Sequence, residues 1–419
     1  MDKTFAITTL GCKVNAVESD RYIQAMTQAN YKQVGFKEKA DTYIINTCAV
    51  THAAAAKSRQ RIASTIKTNP HAKIVVVGCS VAADYENLSK YKEIDTLLFQ
   101  DQKEQFAQIV LNQPNTTLPV ETNQSKKRAF LKIQDGCEQR CSFCVIPVAR
   151  GAETSIPLEE LVETAKLLVN ANHHEIVLTG IHIGRYGIND YTSLLELLKK
   201  LVVIKGLQRI RISSIEVSEL HDDLLDFVAN QPKIAKHFHI PLQSGSDRVL
   251  TAMNRPYSME YFINKVNQIR QLMPDCVISS DVIAGFVGET QLEFEETLKN
   301  IQQINFGFLH VFPYSKRKFT HAATLKGHLD PRIIKARTHQ LLALSKQAKK
   351  QFLTSYINKV VSVLVEHQTK EGYFGHSEHY CPVIIKEPVK INEFVDVQIL
   401  SVSDSMCYGK IVRSDYESK

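Results

Sequence analysis

The 419-residue sequence predicts an α/β protein in three parts. Residues 1–111 read as an open parallel α/β sheet domain and residues 129–353 as a partial, TIM-like (β/α)6 barrel. Residues 356–415 read as a small antiparallel β-barrel, and residues 112–128 as a linker. Two observations carry this division. Short apolar runs alternate with helical segments across the first 353 residues, the pattern of βαβ units around a parallel sheet. The last 60 or so residues change character: short β-branched and aromatic runs follow one another, separated by turns.

In the first part, strands are expected at 5–10, 42–45, 73–77 and 96–99, with helices at 16–30, 53–67 and 102–111. Cys12 follows the first strand, Cys48 the second and Cys79 the third. Each lies just past a strand's C-terminal end, the edge where open parallel sheets bind ligands. Free cysteine is often simply a small buried residue. Three at equivalent loop positions also suit a shared metal site. The linker, NQPNTTLPVETNQSKKR, holds two prolines and almost no large apolar residue.

In the central part, strands are expected at 130–133, 175–178, 209–212, 237–240, 277–283 and 306–311. Helices are expected at 158–170, 193–202, 222–229, 259–272 and 291–304. Polar, glycine-rich segments follow these strands, and barrel active sites gather at that end. The first such loop holds Cys137, Cys141 and Cys144 in a C-x3-C-x2-C spacing. Three thiolates on one loop can hold an iron–sulfur cluster with one iron left for a non-protein ligand. Zinc is the alternative, but a closed zinc site wants four ligands at paired spacings. A basic helix at 332–350 closes the part, with six Lys or Arg and no acid. It reads either as a solvated face or as an RNA-facing one.

In the last part, tyrosines and phenylalanines alternate with Lys and His. That suits stacking on bases and equally suits an ordinary β-module. Cys276, Cys381 and Cys407 have no neighbours at ligand spacing and read as structural. The N-terminus has no secretory pattern, and no apolar run reaches the roughly 20 residues of a membrane span. Nine cysteines in a chain that reads as cytoplasmic point to metal or redox chemistry rather than disulfides. A net charge of +7 permits nucleic-acid binding without requiring it.

The C-x3-C-x2-C stretch with Phe143 before its last cysteine, and the contexts TLGCKVN, NTCAVT, KIQDGC, LTGIHIG and HVFPYSKR, resemble the methylthiotransferase family of radical S-adenosylmethionine (SAM) enzymes. The resemblance runs through nearly the whole chain. It is strongest to the branch acting on N6-threonylcarbamoyladenosine at tRNA position 37. It implies a C-terminal TRAM domain, an OB-like barrel. It implies two 4Fe-4S clusters, one on Cys137, Cys141 and Cys144 and an auxiliary one on Cys12, Cys48 and Cys79. SAM then serves as radical source and as methyl donor, and a methylthio group goes to carbon 2 of the adenine. That position carries a C–H bond that no side chain is basic enough to deprotonate, so the cofactor must carry the chemistry.

By the same resemblance, Phe143, Thr179, Gly180, Ser213, Glu216, Gln243, Ile283 and Gly285 bind SAM. The implied partners are a tRNA anticodon loop and a one-electron donor such as flavodoxin or ferredoxin. The sequence departs from the family pattern at Val148, Thr154, Val287, the Phe319-Thr320-His321 run and Ser80 after Cys79. None of these removes a cysteine.

Overall fold

The computed structural model describes residues 3–114, 118, 124 and 126–412. Part of the predicted linker, and residues 413–415 of the predicted last part, lie outside the described residues.

The N-terminal region holds β1 (Thr4–Thr9), α1 (Lys13–Gln28), β2 (Lys32–Gln33), β3 (Thr42–Thr47), α2 (His52–Thr68), β4 (Lys73–Gly78), α3 (Ser80–Ala83), α4 (Tyr85–Leu88), β5 (Thr96–Leu97) and α5 (Phe106–Leu111). The strands form one parallel sheet in the order β2-β1-β3-β4-β5. Strand alternation gives the sheet two apolar faces. Phe5, Ile44, Val75 and Val77 pack against Tyr22 and Met26 of α1 and Phe106 of α5. Ala6, Tyr43, Ile45, Ile74 and Val76 pack against Ile62 of α2 and Val81 of α3. Thr51 caps α2 by accepting from the Ala54 amide. The strand order reverses between β1 and β3, the switch point at which such sheets open a crevice at their C-terminal ends. The edge strand β2 is too short to show in sequence. The fourth predicted strand shrinks to the two residues of β5.

The central region holds β6 (Arg128–Lys132), β7 (Gln134–Asp135), α6 (Ile146–Arg150), β8 (Thr154–Ser155), α7 (Leu158–Asn170), β9 (Glu175–Thr179), α8 (Leu194–Val202), β10 (Arg209–Ile212), α9 (Asp222–Asn230), β11 (His237–His239), α10 (Asp247–Ala252), α11 (Met259–Leu272), β12 (Val277–Ala284), α12 (Gln291–Ile304), β13 (Phe308–Pro313) and α13 (Pro331–Thr354). The six long strands form two parallel triplets, β6-β9-β10 and β11-β12-β13. Single bridges from Ile210 to Ile234 and from Ser214 to His239 join the halves. Ala129, Leu131, Ile176, Leu178, Ile210, Ile212, Ile278 and Leu309 share one large core with the surrounding helices. The alternate residues therefore face the lumen, and most of them are polar: Arg128, Glu175, Thr179, Arg209, Arg211, His237, His239, Ser279, Asp281 and His310.

Two neighbours fill the openings of this half-barrel. Ala16 and Val17 of α1 pack against Phe130 and Val177, sealing the side next to β6. The C-terminal region, β14 (Val360–Gln368), β15 (Tyr373–Ser377), β16 (Pro382–Ile385), β17 (Phe394–Val402) and β18 (Cys407–Ile411), caps the N-terminal ends of β6, β9 and β10. Arg209 donates to the Ser362 carbonyl at 2.8 Å, and Arg211 to the Ser377 carbonyl at 2.9 Å. Both guanidinium groups share the buried Glu175 carboxylate, at 3.2 and 3.1 Å. Arg128 pairs with Glu366 at 3.1 Å. The C-terminal ends of the barrel strands are left for chemistry.

The small barrel closes in the order β14-β15-β16-β18-β17. It departs from the expected antiparallel pattern at one seam, because β16 and β18 run parallel. The reason is arithmetic: strands that alternate in direction cannot close a ring of five without one parallel pair. The basic helix forms as α13, but its charge is partly spent internally. Arg337 is buried on Glu289 at 2.6 Å, and Lys346 pairs with Asp404 at 2.8 Å.

Candidate active site

Cys12 is the residue from which α1 starts, Cys48 is the first residue after β3, and Cys79 the first after β4. The parallel register brings the three loops to one edge. A side chain at Gly11 would come within 3.2 Å of the Cys48 sulfur, and the backbone there has φ +106°. Glycine is therefore required for the Cys12 loop to lie this close to Cys48. Burial pushes the Cys79 thiol up to about 11, and Cys48 is raised for the same reason. Each also feels Cys12, which places all three sulfurs in one electrostatic neighbourhood.

The Cys137–Cys144 loop follows β7. Gly136 begins it at φ +71°, where a Cβ would lie 1.8 Å from the Ala152 carbonyl oxygen. Ser142 ties the loop to α10, donating through its hydroxyl to the Ala252 carbonyl at 2.7 Å. Burial pushes Cys144 up to about 12 and raises Cys141. Arg255 donates to the Cys141 sulfur at 3.3 Å and is ion-paired to Glu216. His182 lies 3.6 Å from the Cys137 sulfur, between Glu153 at 3.3 Å and Glu219 at 2.6 Å. Burial alone would lower the His182 pKa; Cys137 and Glu219 outweigh it and lift the ring to about 10.

The two cysteine sets meet across the domain interface. Val145, next to Cys144, and Ala149 share a buried apolar cluster with Ala49, Cys79 and Ala83. Arg150, at the end of α6, crosses into the N-terminal domain. It donates to Asn15 Oδ1 at 2.5 Å and pairs with Asp135 at 2.8 Å and Glu18 at 3.1 Å. Lys103 and Lys132 complete the cluster on Glu18, at 2.8 and 3.3 Å.

Both cysteine sets suit an anionic metal–sulfur group. Burial makes Cys48, Cys79, Cys141 and Cys144 poor acids alone, and a bound metal supplies the charge that holds them as thiolates. The donor set is three sulfurs in each place. The buried Nε atoms of Arg150 and Arg317 have no acceptor among the described residues. Arg150 sits in the field of Cys79 and Cys12, and Arg317 in that of Cys48. Orphaned guanidinium N–H groups beside three thiols are what an added anion would satisfy.

A cavity of about 320 Å³ opens in the barrel lumen. Cys12, Lys13 and Val14 of the N-terminal domain line it, as do Thr179, Gly180, Ser213, His237, His239 and His310 of the barrel and Tyr380 of the small barrel. Three of the eight sequence-predicted SAM residues, Thr179, Gly180 and Ser213, therefore border the cavity.

The other five lie outside its lining. Glu216 is held by Arg255. Gln243 adopts φ +64° and is tied by backbone to Asp281 and Ile283. Ile283 packs with Phe286, against which Phe143 and Tyr314 lie. The Phe143 and Phe286 rings meet edge-on at 6.4 Å. The Gly285 amide donates to Glu289 at 3.1 Å. Sequence reasoning passed over Lys13, Arg150, His182 and Arg255. The alternations Arg209-Ile210-Arg211-Ile212 and His237-Phe238-His239-Ile240 were available signals that the lumen is polar.

Residues 4–99 match the model of the uncharacterized protein family UPF0004, and residues 131–301 match that of the radical SAM superfamily. The threonylcarbamoyladenosine tRNA methylthiotransferase MtaB of Bacillus subtilis is 38% identical over 98% of this chain and 96% of its own length. The chain belongs to the radical SAM tRNA methylthiotransferase family. MtaB of Aquifex aeolicus is 36% identical over 87% of this chain and 93% of its own. The tRNA-2-methylthio-N(6)-dimethylallyladenosine synthase of Thermodesulfovibrio yellowstonii is 32% identical over 97% and 98%. Among solved structures, the radical SAM methyltransferase TsrM of Kitasatospora setae superposes with a TM-score of 0.58 at 12% identity, over 77% of each chain. That likeness is one of fold. The methylthiotransferase is thus an enzyme that uses SAM and an iron–sulfur cluster, and no helix among its described residues is long and apolar enough to cross a membrane.

Proposed function

We propose that this methylthiotransferase adds a methylthio group to carbon 2 of N6-threonylcarbamoyladenosine at position 37 of tRNA, using two 4Fe-4S clusters. Cys137, Cys141 and Cys144 hold the SAM-binding cluster, and Cys12, Cys48 and Cys79 hold the auxiliary one. The observation that carries the reading is the lumen cavity, bordered by Cys12 on one side and by Thr179, Gly180 and Ser213 on the other. The names of the Bacillus and Aquifex relatives support the substrate.

When bound, the clusters and SAM supply the electron-transfer, radical and sulfur chemistry. The chain's own residues bind and orient. Thr179, Gly180 and Ser213 position SAM at the cavity's rim, with Phe143, Glu216, Gln243, Ile283 and Gly285 around it. Arg255 hydrogen-bonds the Cys141 sulfur and turns Glu216 toward the loop. The capped lumen excludes water from the reacting carbon. An anticodon loop presents unstacked bases that can enter such a pocket. The protein works in the cytoplasm, with a one-electron donor such as flavodoxin or ferredoxin.

Anaerobically reconstituted enzyme should convert tRNA carrying the threonylcarbamoyl group and leave tRNA lacking it unchanged, as read by nucleoside mass spectrometry. The same preparation should hold about eight iron and eight sulfide per chain. Four of each would remove the auxiliary cluster from the reading. Affinity for tRNA should fall steeply with salt, with a log–log slope of about −3 if roughly four phosphates are neutralised. A dissociation constant flat between low and physiological salt would show that phosphate contacts do not hold the tRNA.

A further inference from the structure

We propose that Lys13 recognises the substrate, its ammonium pairing with a carboxylate on the N6 substituent of the target adenosine. This rests on the substrate reading above. Lys13 is the first residue of α1, directly after Cys12, and both border the lumen cavity. Its ammonium makes no hydrogen bond or ion pair among the described residues.

The acids around the lumen are already taken. Glu175 holds Arg209 and Arg211, Glu366 holds Arg128 and His376, and Asp281 lies 3.2 Å from His239. The helix reinforces the same sign. The positive end of a 16-residue helix opens on the cavity, with no acid in its first turn and no capping bond from Cys12. A half-buried ammonium with no counter-charge is costly, and an anion entering the cavity relieves it.

The same cavity offers a flat aromatic wall. The Tyr380 ring is stacked on His237 at 4.9 Å and 18°, and on Phe308 at 6.0 Å and 20°. The Arg211 guanidinium already lies over the Tyr380 ring, 5.0 Å from its centre, so an entering base meets the part of this aromatic stack that lines the cavity. A base-stacking wall and an unpaired cation in one small pocket fit a purine with an anionic arm. They fit a purine with a neutral hydrocarbon arm poorly, because the lysine would then stay buried and unpaired.

The test compares anticodon stem-loops bearing N6-threonylcarbamoyladenosine or its methyl ester, which removes the charge and adds one methyl group. Binding to full-length, cluster-loaded enzyme is read by fluorescence anisotropy. The native enzyme should bind the carboxylate form roughly tenfold or more tightly than the ester, as a charge-assisted contact gives. Lys13→Met should bring that ratio to within about twofold, and Lys13→Arg should keep most of it.

An unchanged ratio in Lys13→Met overturns the assignment. So does a loss of SAM affinity in equilibrium dialysis with the ratio intact, since Lys13 would then serve the carboxylate of SAM. If the native enzyme does not distinguish the modified stem-loop from an unmodified one and converts neither, the substrate reading itself fails. If it prefers the modified loop and Lys13→Met keeps that preference, only the role of Lys13 fails. Iron content and near-ultraviolet circular dichroism equal to the native enzyme's establish that the variant is folded.

Discussion

Cys48→Ala should abolish methylthio transfer while leaving SAM cleavage in place. Cys48 lies past the end of β3 at the sheet's switch point, on a different sheet from the strand that leads into the Cys137–Cys144 loop. Its backbone is held within the N-terminal region: the amide donates to the Ser58 hydroxyl at 3.1 Å, and the carbonyl accepts from the Ser58 and Ser80 hydroxyls at 3.0 Å. Alanine keeps the backbone and the small buried volume, so the N-terminal sheet should fold. What it removes is one of three sulfurs. The expected readouts separate cleanly: iron per chain drops from about eight to about four, and methionine and 5′-deoxyadenosine still form with reductant. No 2-methylthio nucleoside should appear in the tRNA digest. Cys141→Ala should show the converse, with no SAM cleavage at all. If Cys48→Ala still makes product, the N-terminal cysteines are structural, and the two-cluster reading is wrong.

The separation of these two roles was only partly legible in the sequence. The spacing Cys137-x3-Cys141-x2-Cys144 is local and needs no fold to interpret. Cys12, Cys48 and Cys79 become a set only through the parallel sheet, and their loop positions could be read because apolar runs mark strands well. Strand order, by contrast, depends on pairing between distant segments. The position of β1 between β2 and β3, which puts Cys12 at the switch point, is a tertiary fact.

Charge partnerships were the least legible. Glu175 neutralises Arg209 and Arg211, 34 and 36 residues away, while those arginines reach carbonyls more than 150 residues along the chain. Nothing local distinguishes such a lysine or arginine from a solvated one. Lys13 looks like an ordinary first-turn residue until the lumen is seen to open in front of it. The basic run at 332–350 shows the same limit in one residue. It reads as a solvated or RNA-facing surface, and Arg337 alone of its six cations is buried, on Glu289.

Arg150→Met should loosen the contact between the N-terminal and central domains and lower the iron content together. The guanidinium is fully buried and joins Asn15 and Glu18 of α1 to Asp135 at the root of the Cys137–Cys144 loop. Removing one member of a buried, hydrogen-bonded charge cluster costs about 3–5 kcal/mol, because its partners stay desolvated. Lys103 and Lys132 remain on Glu18 and Asp135, so the lower end of that range applies. The loss is local to an interface, and amide exchange in α1 and α6 is the proper measurement. Protection there should fall by roughly a hundredfold, since about 3 kcal/mol corresponds to that factor, while the helices around the barrel stay protected.

The pH dependence has a definite sign. Burial would raise Asp135, but Lys132 and Arg150 hold it down to about 2, and Lys103 and Arg150 hold Glu18 well below the carboxylate range. A depressed carboxylate contributes stability that is fully present above its unfolded pKa of about 4 and is lost as the pH falls toward its folded value. The difference between native and Arg150→Met protein should therefore be constant at neutral pH and shrink below about pH 4. Arg150→Lys keeps one charge but cannot reach Asn15, Glu18 and Asp135 at once, so it should recover only part of the protection. If Arg150→Met leaves both exchange and iron content unchanged, the buried cluster is incidental packing, and the two cysteine sets are held together by apolar contacts such as those of Val145 and Ala149 with Cys79 and of Val17 with Phe130.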